Sequence, residues 1–154
     1  MKLLTLCCLA GILALGAAGD PGASHASAVT SRQYYASWAK HPQRGYYYRT
    51  YYYKPTVDYV GYRHHYVVYY PRRPQHLYFY NPYKKVYWGR CPTQTQGKAQ
   101  YSLLAEKDRK ATIEEIPESA FPKPGELPPV PESNDGTKMD LPPDDLPQDE
   151  PPGV

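Results

Sequence analysis

Residues 76–90, HLYFYNPYKKVYWGR, set bulky aromatic and β-branched side chains on both sides of an Asn-Pro corner. Tyr, Phe, Trp and Val fit a pleated, half-buried surface, so the stretch reads as two strands near 76–80 and 83–89. Pro82 falls in the corner, where no ladder donor is required. Side chains alternate along a strand, so Leu77, Phe79, Val86 and Trp88 can share one face, while Tyr78, Tyr80, Tyr83 and Tyr87 take the other face or the edges. Gly89 ends the second strand in this reading.

Working upstream, VDYVGYRHHYVVYY (57–70) supplies a third strand near 64–70, joined to the ribbon by a PRRPQ turn. The resulting aromatic β module, residues 57–101, has few aliphatic side chains. A unit of about 45 residues buries little surface and is marginal without a staple. Its stability would then come from the helix that follows, from self-association or from a bound surface. Further upstream, RGYYYRTYYYK (44–54) repeats a Tyr triplet around Arg49. Consecutive strand residues point to opposite faces, so three tyrosines in a row cannot define one buried face. Residues 29–56 therefore read as a Tyr/Arg-rich low-complexity segment, flexible or laid on another surface. Its chemistry is adhesive: Tyr rings stack, accept cations and carry a hydroxyl, and aromatic–polar alternation favours self-association.

The chain opens with MKLLTLCCLAGILALGAAG, one Lys ahead of an apolar run, which reads as a signal peptide within residues 1–28. Ala26-Ser27-Ala28 and Ala17-Ala18-Gly19 are alternative cleavage sites, placing the cut between 19 and 28. The run is shorter than the roughly 20 apolar residues a membrane span needs, and it carries Gly11 and Gly16, so no transmembrane anchor is expected after cleavage. Thr5 and Leu6, bulky residues ahead of Cys7 and Cys8, argue against a lipoprotein. The expected destination is the periplasm, the cell envelope or the outside. Cys91 alone remains after cleavage, so no intramolecular disulfide can form in the mature chain. A half-buried thiol beside Pro92 is preferred over an intermolecular bridge, and a catalytic thiol ranks below both.

Downstream, YSLLAEKDRKATIEEIPESAF signals a short helix at about 102–111 within a unit running to 116. Ser102 can cap it, Leu103, Leu104 and Ala111 form an apolar edge, and Glu106 precedes Lys110 by one favourable step. Thr112 and Glu115 offer a capping box for a further turn, limited by Pro117. Residues 117–154, rich in Pro and acids, read as a disordered, partly polyproline-II tail, either solvated or laid along the basic module. The fold expected is a largely disordered chain with a small antiparallel β-hairpin or meander (about 57–90) and one short helix, small α+β at most.

Charge is strongly segregated. Residues 29–101 carry twelve Lys and Arg against the single Asp58, and residues 102–154 carry five basic against thirteen acidic side chains. All 18 tyrosines lie in the basic part. Opposite blocks on one short chain attract each other or sort partners.

The elements YFYNPYKKVYWGR, YSLLAEKDRKATIEEIPESAFPKPG and MDLPPDDLP resemble those of short exported Tyr/Pro-rich proteins of uncharacterised function from planctomycete-type bacteria, over most of residues 76–147. The resemblance implies that ribbon, helix and tail travel together. It brings no activity, cofactor or partner.

Catalysis is not expected. The ordered part offers only Asp58 as an acid, and hydrolysis needs a nucleophile with its base or two framing carboxylates. His64 and His65 are adjacent and point to opposite strand faces, with His41 and His76 remote in sequence, so they read as exposed or packing residues rather than metal ligands. No phosphate loop, CxxC pair or haem signal is present, and no cofactor is implied. The candidate surface-binding residues are Arg44, Tyr47, Arg49, Tyr52, Lys54, Arg72, Arg73, Lys84, Lys85, Tyr87, Trp88 and Arg90. Cations among aromatics suit single-stranded nucleic acid, but export disfavours it and points to an anionic cell-envelope polymer, to another exported protein or to self-association. The function expected is a non-enzymatic structural or adhesive envelope module using this basic aromatic surface. The alternatives are a small module docking on another exported protein through its sheet edge or Pro-rich tail and, ranked lower, a dedicated polyanion binder.

Overall fold

The computed structural model describes residues 31–94 and 98–148; the signal peptide read at 1–28, with Cys7 and Cys8, lies outside them. The centre is one antiparallel seven-stranded sheet. It is formed by β1 (Gln33–Tyr35), β2 (Ala39–Lys40), β3 (Tyr47–Tyr53), β4 (Arg63–Tyr69), β5 (His76–Asn81), β6 (Val86–Pro92) and β7 (Ser102–Leu103). Strand order is β1-β3-β4-β5-β6-β7, and β2 also pairs with β3. Gln33 faces Tyr53 and Ala39 faces Tyr48, so β1 and β2 are one edge strand interrupted by an extra residue, a bulge.

The largely disordered chain expected from composition is overturned by this sheet. The Tyr triplets are not flexible: they form β3, whose residues alternate between buried and half-buried along its whole length. Both faces of the sheet are covered over part of their area, which removes the objection that a tyrosine run cannot define a single buried face. Tyr51 and Tyr53 point to one face with Val67, Leu77, Phe79 and Trp88. Tyr46 and Tyr48 point to the other with Val68, Tyr78 and Tyr87.

The ribbon at 76–90 is a hairpin, but its second strand starts later and runs further than the pattern suggested. Asn81 Oδ1 accepts hydrogen bonds from the backbone N–H of Tyr83 and of Lys84, so residues 82–85 are consumed by the turn. Gly89 does not end β6. It lies inside the strand because the Tyr101 ring packs on its backbone; a Cβ there would collide with the Tyr101 ring and its hydroxyl.

The helix expected at 102–111 is absent. Ser102 and Leu103 pair with Arg90 and Gly89 as edge strand β7, and a single 3-10 turn follows at Glu106–Asp108. Two backbone donors show why the extended path wins. Leu104 N–H bonds to Trp88 O, and Tyr87 N–H bonds to Lys110 O. An isolated helix of about ten residues is marginal in water, whereas this route pairs the edge of β6 and buries Leu104, Ile113 and Ile116 on the sheet. The capping box at Thr112 does not form; Ile113–Glu115 is a 3-10 turn without a side-chain cap.

The Pro-rich segment is likewise not a free tail. Residues 127–147 form a strap across the Tyr51 face. Val130 N–H bonds to Thr137 O and Met139 N–H to Pro128 O. Val130 and Met139 are fully buried, and Leu127, Leu141 and Leu146 pack beside them. Proline suits this role: it holds extended backbone at low entropic cost and brings no N–H needing a ladder partner. The strap face is closed, whereas residues 104–121 cover only the β5–β6 half of the opposite face.

Candidate binding face

The β1–β3–β4 half of that second face carries a continuous aromatic surface. On it, Tyr34 stacks on Tyr52 with ring centroids 4.7 Å apart, and Tyr62 meets Tyr34 edge-on at 4.9 Å. The row continues through His64 to Tyr66 (5.4 Å) and from Tyr66 to Tyr48 (5.9 Å). Tyr34 is 42% exposed and the rest are half-buried. These offset and edge-to-face geometries are the ones the ring quadrupole favours, so the platform is built before any ligand arrives.

The row opens into a cleft of about 340 Å³ lined from the 41–46 loop, β3, β4, β5, β6 and Ala111, within the range of small-ligand sites, about 300–1,000 Å³. Tyr46, Tyr48, Tyr66 and Tyr80 form its walls, and Arg44 and His41 stand at its rim. No carboxylate lines it among the described residues. Burial raises the Tyr46 hydroxyl above its ordinary pKa, opposed by the charge of Arg44 and a hydrogen bond from it, so the phenol stays protonated at neutral pH. At its floor, burial and the bond to Tyr70 Oη hold Tyr87 protonated as well. The cleft thus presents ring faces, phenolic hydroxyls and a cationic rim.

Sequence reasoning placed only part of this surface. Arg44 is at the cleft and Tyr52 on the platform. Arg72 and Arg73 are exposed on the β4–β5 turn with Arg44 at the same end of the sheet, and Lys54, Lys84 and Lys85 are at the opposite end. Lys54 Nζ lies 5.1 Å from the Tyr62 centroid. Five candidates are corrected: Tyr47, Arg49, Tyr87, Trp88 and Arg90 are buried; Tyr87 reaches the cleft only as its floor, and the other four are not contact surface. Arg49 points under the strap to the Asp145 carboxylate, and Arg90 makes a paired bond to Glu118 while lying 4.0 Å from the Phe121 ring centroid. Trp88 is a core ring between Phe79 and Tyr101. A buried guanidinium requires a carboxylate, and the acidic segment supplies one to each. The platform residues Tyr34, Tyr62, His64, Tyr66, Tyr46, Tyr48 and Tyr80 were missed, although their parity with Tyr52 and Tyr78 would have shown them once strand pairing was known.

Other groups are structural. Cys91 is buried against the core and its thiol is pushed up to about 12 by that burial, which leaves it protonated and inert. His65 is buried beside Tyr53 and Trp88, with its pKa lowered to about 3 by desolvation and by His64 and Arg63. Among the described residues no group of three His, Cys, Asp or Glu side chains could hold a metal ion, and no helix is long and apolar enough to cross a membrane. Compared with known proteins, the chain matches no family model, no curated protein and no solved structure.

Proposed function

We propose that this chain is an exported, non-enzymatic module that adheres to a polymer of the cell envelope through its open aromatic face. The observation that carries the reading is the uncovered half of the sheet, where stacked tyrosines lead into a cleft rimmed by Arg44 and His41. A soluble protein does better to cover such rings, and a built aromatic platform of this extent marks a contact surface. Phenol rings stack on the apolar faces of sugar rings, their hydroxyls bond sugar hydroxyls, and cations at both ends of the sheet hold an acidic chain in place. Acidic polysaccharide is the polymer that uses all three.

The test is retention of the purified mature protein on isolated cell-wall material and on acidic and neutral polysaccharides. Tyr52→Ala and Tyr66→Ala should each weaken retention several-fold, at about 0.5–1.5 kcal/mol per ring contact, while Tyr59→Ala, off the platform, leaves it unchanged. Retention on acidic polymer that is identical at low and high salt removes the electrostatic part of the reading. Retention unaffected by both platform substitutions removes the reading altogether.

A further inference from the structure

The strap end is held in an unusual way. Between Asp140 and Asp145 its main chain makes no sheet ladder; the hydrogen bonds that hold it come from side chains. Tyr35 Oη donates to Asp140 O and Trp38 Nε1 to Asp145 O. Gln33 reads the entry to the strap on both sides, donating through Nε2 to Lys138 O and accepting from Asp140 N–H through Oε1. The Arg49 guanidinium grips both oxygens of Asp145 and lies 4.8 Å from the Trp38 centroid and 5.8 Å from that of Tyr35. Met139, Leu141 and Leu146 fill the apolar positions between these anchors.

Aromatic side chains whose N–H and O–H groups donate to the carbonyls of an extended proline-rich chain are a peptide-reading device. We infer that the groove formed by Gln33, Tyr35, Trp38 and Arg49 is a recognition site for an acidic proline-rich segment, filled within one chain by residues 138–147 and able to take the same segment from a second copy. Three observations favour a second copy as the occupant in trans. Arg49 is only 4% exposed, so the groove demands a carboxylate at the position Asp145 supplies. Every copy carries that carboxylate, spaced correctly from Met139 and Asp140. Exchange of this end leaves the ladders of the seven-stranded sheet intact; it breaks side-chain bonds and, of the strap's own backbone bonds, the one from Met139 N–H to Pro128 O. A reciprocal exchange satisfies both grooves and closes a dimer; a one-way exchange propagates a chain of copies.

The test uses full-length protein and a charge swap. Arg49→Glu and Asp145→Arg each set like charges against each other within one chain, and each alone should remain monomeric by light scattering. Mixed in equal amounts they should form a one-to-one heterodimer, while the double variant R49E/D145R, whose swapped pair is restored within one chain, stays monomeric. A mixture that remains monomeric while the double variant recovers wild-type near-ultraviolet dichroism overturns the inference. Because a buried carboxylate at position 49 can prevent folding, a second measurement leaves Arg49 in place. The Asp145→Arg chain is titrated with a fluorescent peptide of residues 138–148. Saturable binding is expected, at least about tenfold tighter than for the same peptide carrying D145R. No saturable binding, or equal binding of the two peptides, overturns it.

Discussion

Gly89 and Tyr101 show how far single residues are constrained in this sheet. The Tyr101 ring occupies the space a side chain at position 89 would need and is itself fully buried, so it cannot swing away. Gly89→Ala should therefore cost about 2–3 kcal/mol, measured as a shift of the urea midpoint with an unchanged slope. The Tyr101 hydroxyl, by contrast, is buried with no hydrogen-bond partner among the described residues. Tyr101→Phe should be neutral or stabilising by up to about 1 kcal/mol, and a loss of more than that would show an unrecognised role for the hydroxyl. His65 gives the pH dependence. Its pKa is about 3 in the fold, lowered first by burial, against about 6.5 unfolded. The unfolded chain binds the extra proton between those values, so stability falls as pH drops from about 6.5 towards 3. The slope reaches about 1.4 kcal/mol per pH unit. His76 is lowered too and adds to it. The pKa values of Glu118 and Asp135, lowered by hydrogen bonds from Arg90 and Arg32, add a second loss only at lower pH, as each carboxylate protonates. His65→Phe should reduce the decline from about pH 6.5 down to about 3 and leave the His76 and carboxylate contributions in place, as read by thermal melts across pH.

At the scale of elements, legibility followed the source of the stabilisation. The hairpin of β5 and β6 was readable at 76–90 because its signals are local: β-favouring aromatics and an Asn whose own side chain makes the turn. The helix at 102–111 was misread because Ser102, Glu106 and Lys110 carry real but weak helical preferences. The free edge of β6 and the apolar floor under Leu104, Ile113 and Ile116 outweighed them. The sequence leaves the strap between two readings, solvated or laid along the basic module, for the opposite reason. Proline and acids signal disorder in isolation, and only a sheet already presenting Arg32, Arg49 and Arg63 turns those acids into anchors. Asp145→Ala should accordingly destabilise the protein by about 2 kcal/mol, the scale of a hydrogen bond to a charged group. Asp144→Ala, one residue away, should stay within about 0.5 kcal/mol as an ordinary surface substitution. Equal effects in chemical denaturation would mean that the strap is held by its apolar residues alone.

For the whole molecule, folding pairs Arg32, Arg49, Arg63 and Arg90 with carboxylates of the acidic block and leaves Arg44, Arg72 and Arg73 at one end of the sheet and Lys54, Lys84 and Lys85 at the other. The acidic segment joins the protein's own core, because Val130 and Met139 are buried in the cluster that holds Tyr51 and Phe79. Truncation after Gly136 should therefore unfold the protein outright, removing Met139 and leaving Arg49 without its carboxylate, with loss of near-ultraviolet dichroism as the readout. A truncated chain that keeps its fold would show the sheet to be self-sufficient and the strap a mere cover. Cys91 gives a parallel check on global integrity: a thiol reagent should leave Cys91 of the native protein unlabelled and react with it fully in denaturant, because the group lies under the strap.

Read alone, the amino-acid order determined the strand content within residues 64–89 and the opposition of a basic aromatic block and an acidic proline-rich block. Local preferences and net charge suffice for these. The tertiary structure alone decided which tyrosines became core and which remained a surface, and that five of the proposed contact residues are internal. It also decided that the second block is a strap. Each of these outcomes turns on strand pairing and on two-sided burial, which are long-range relations that no window of sequence contains.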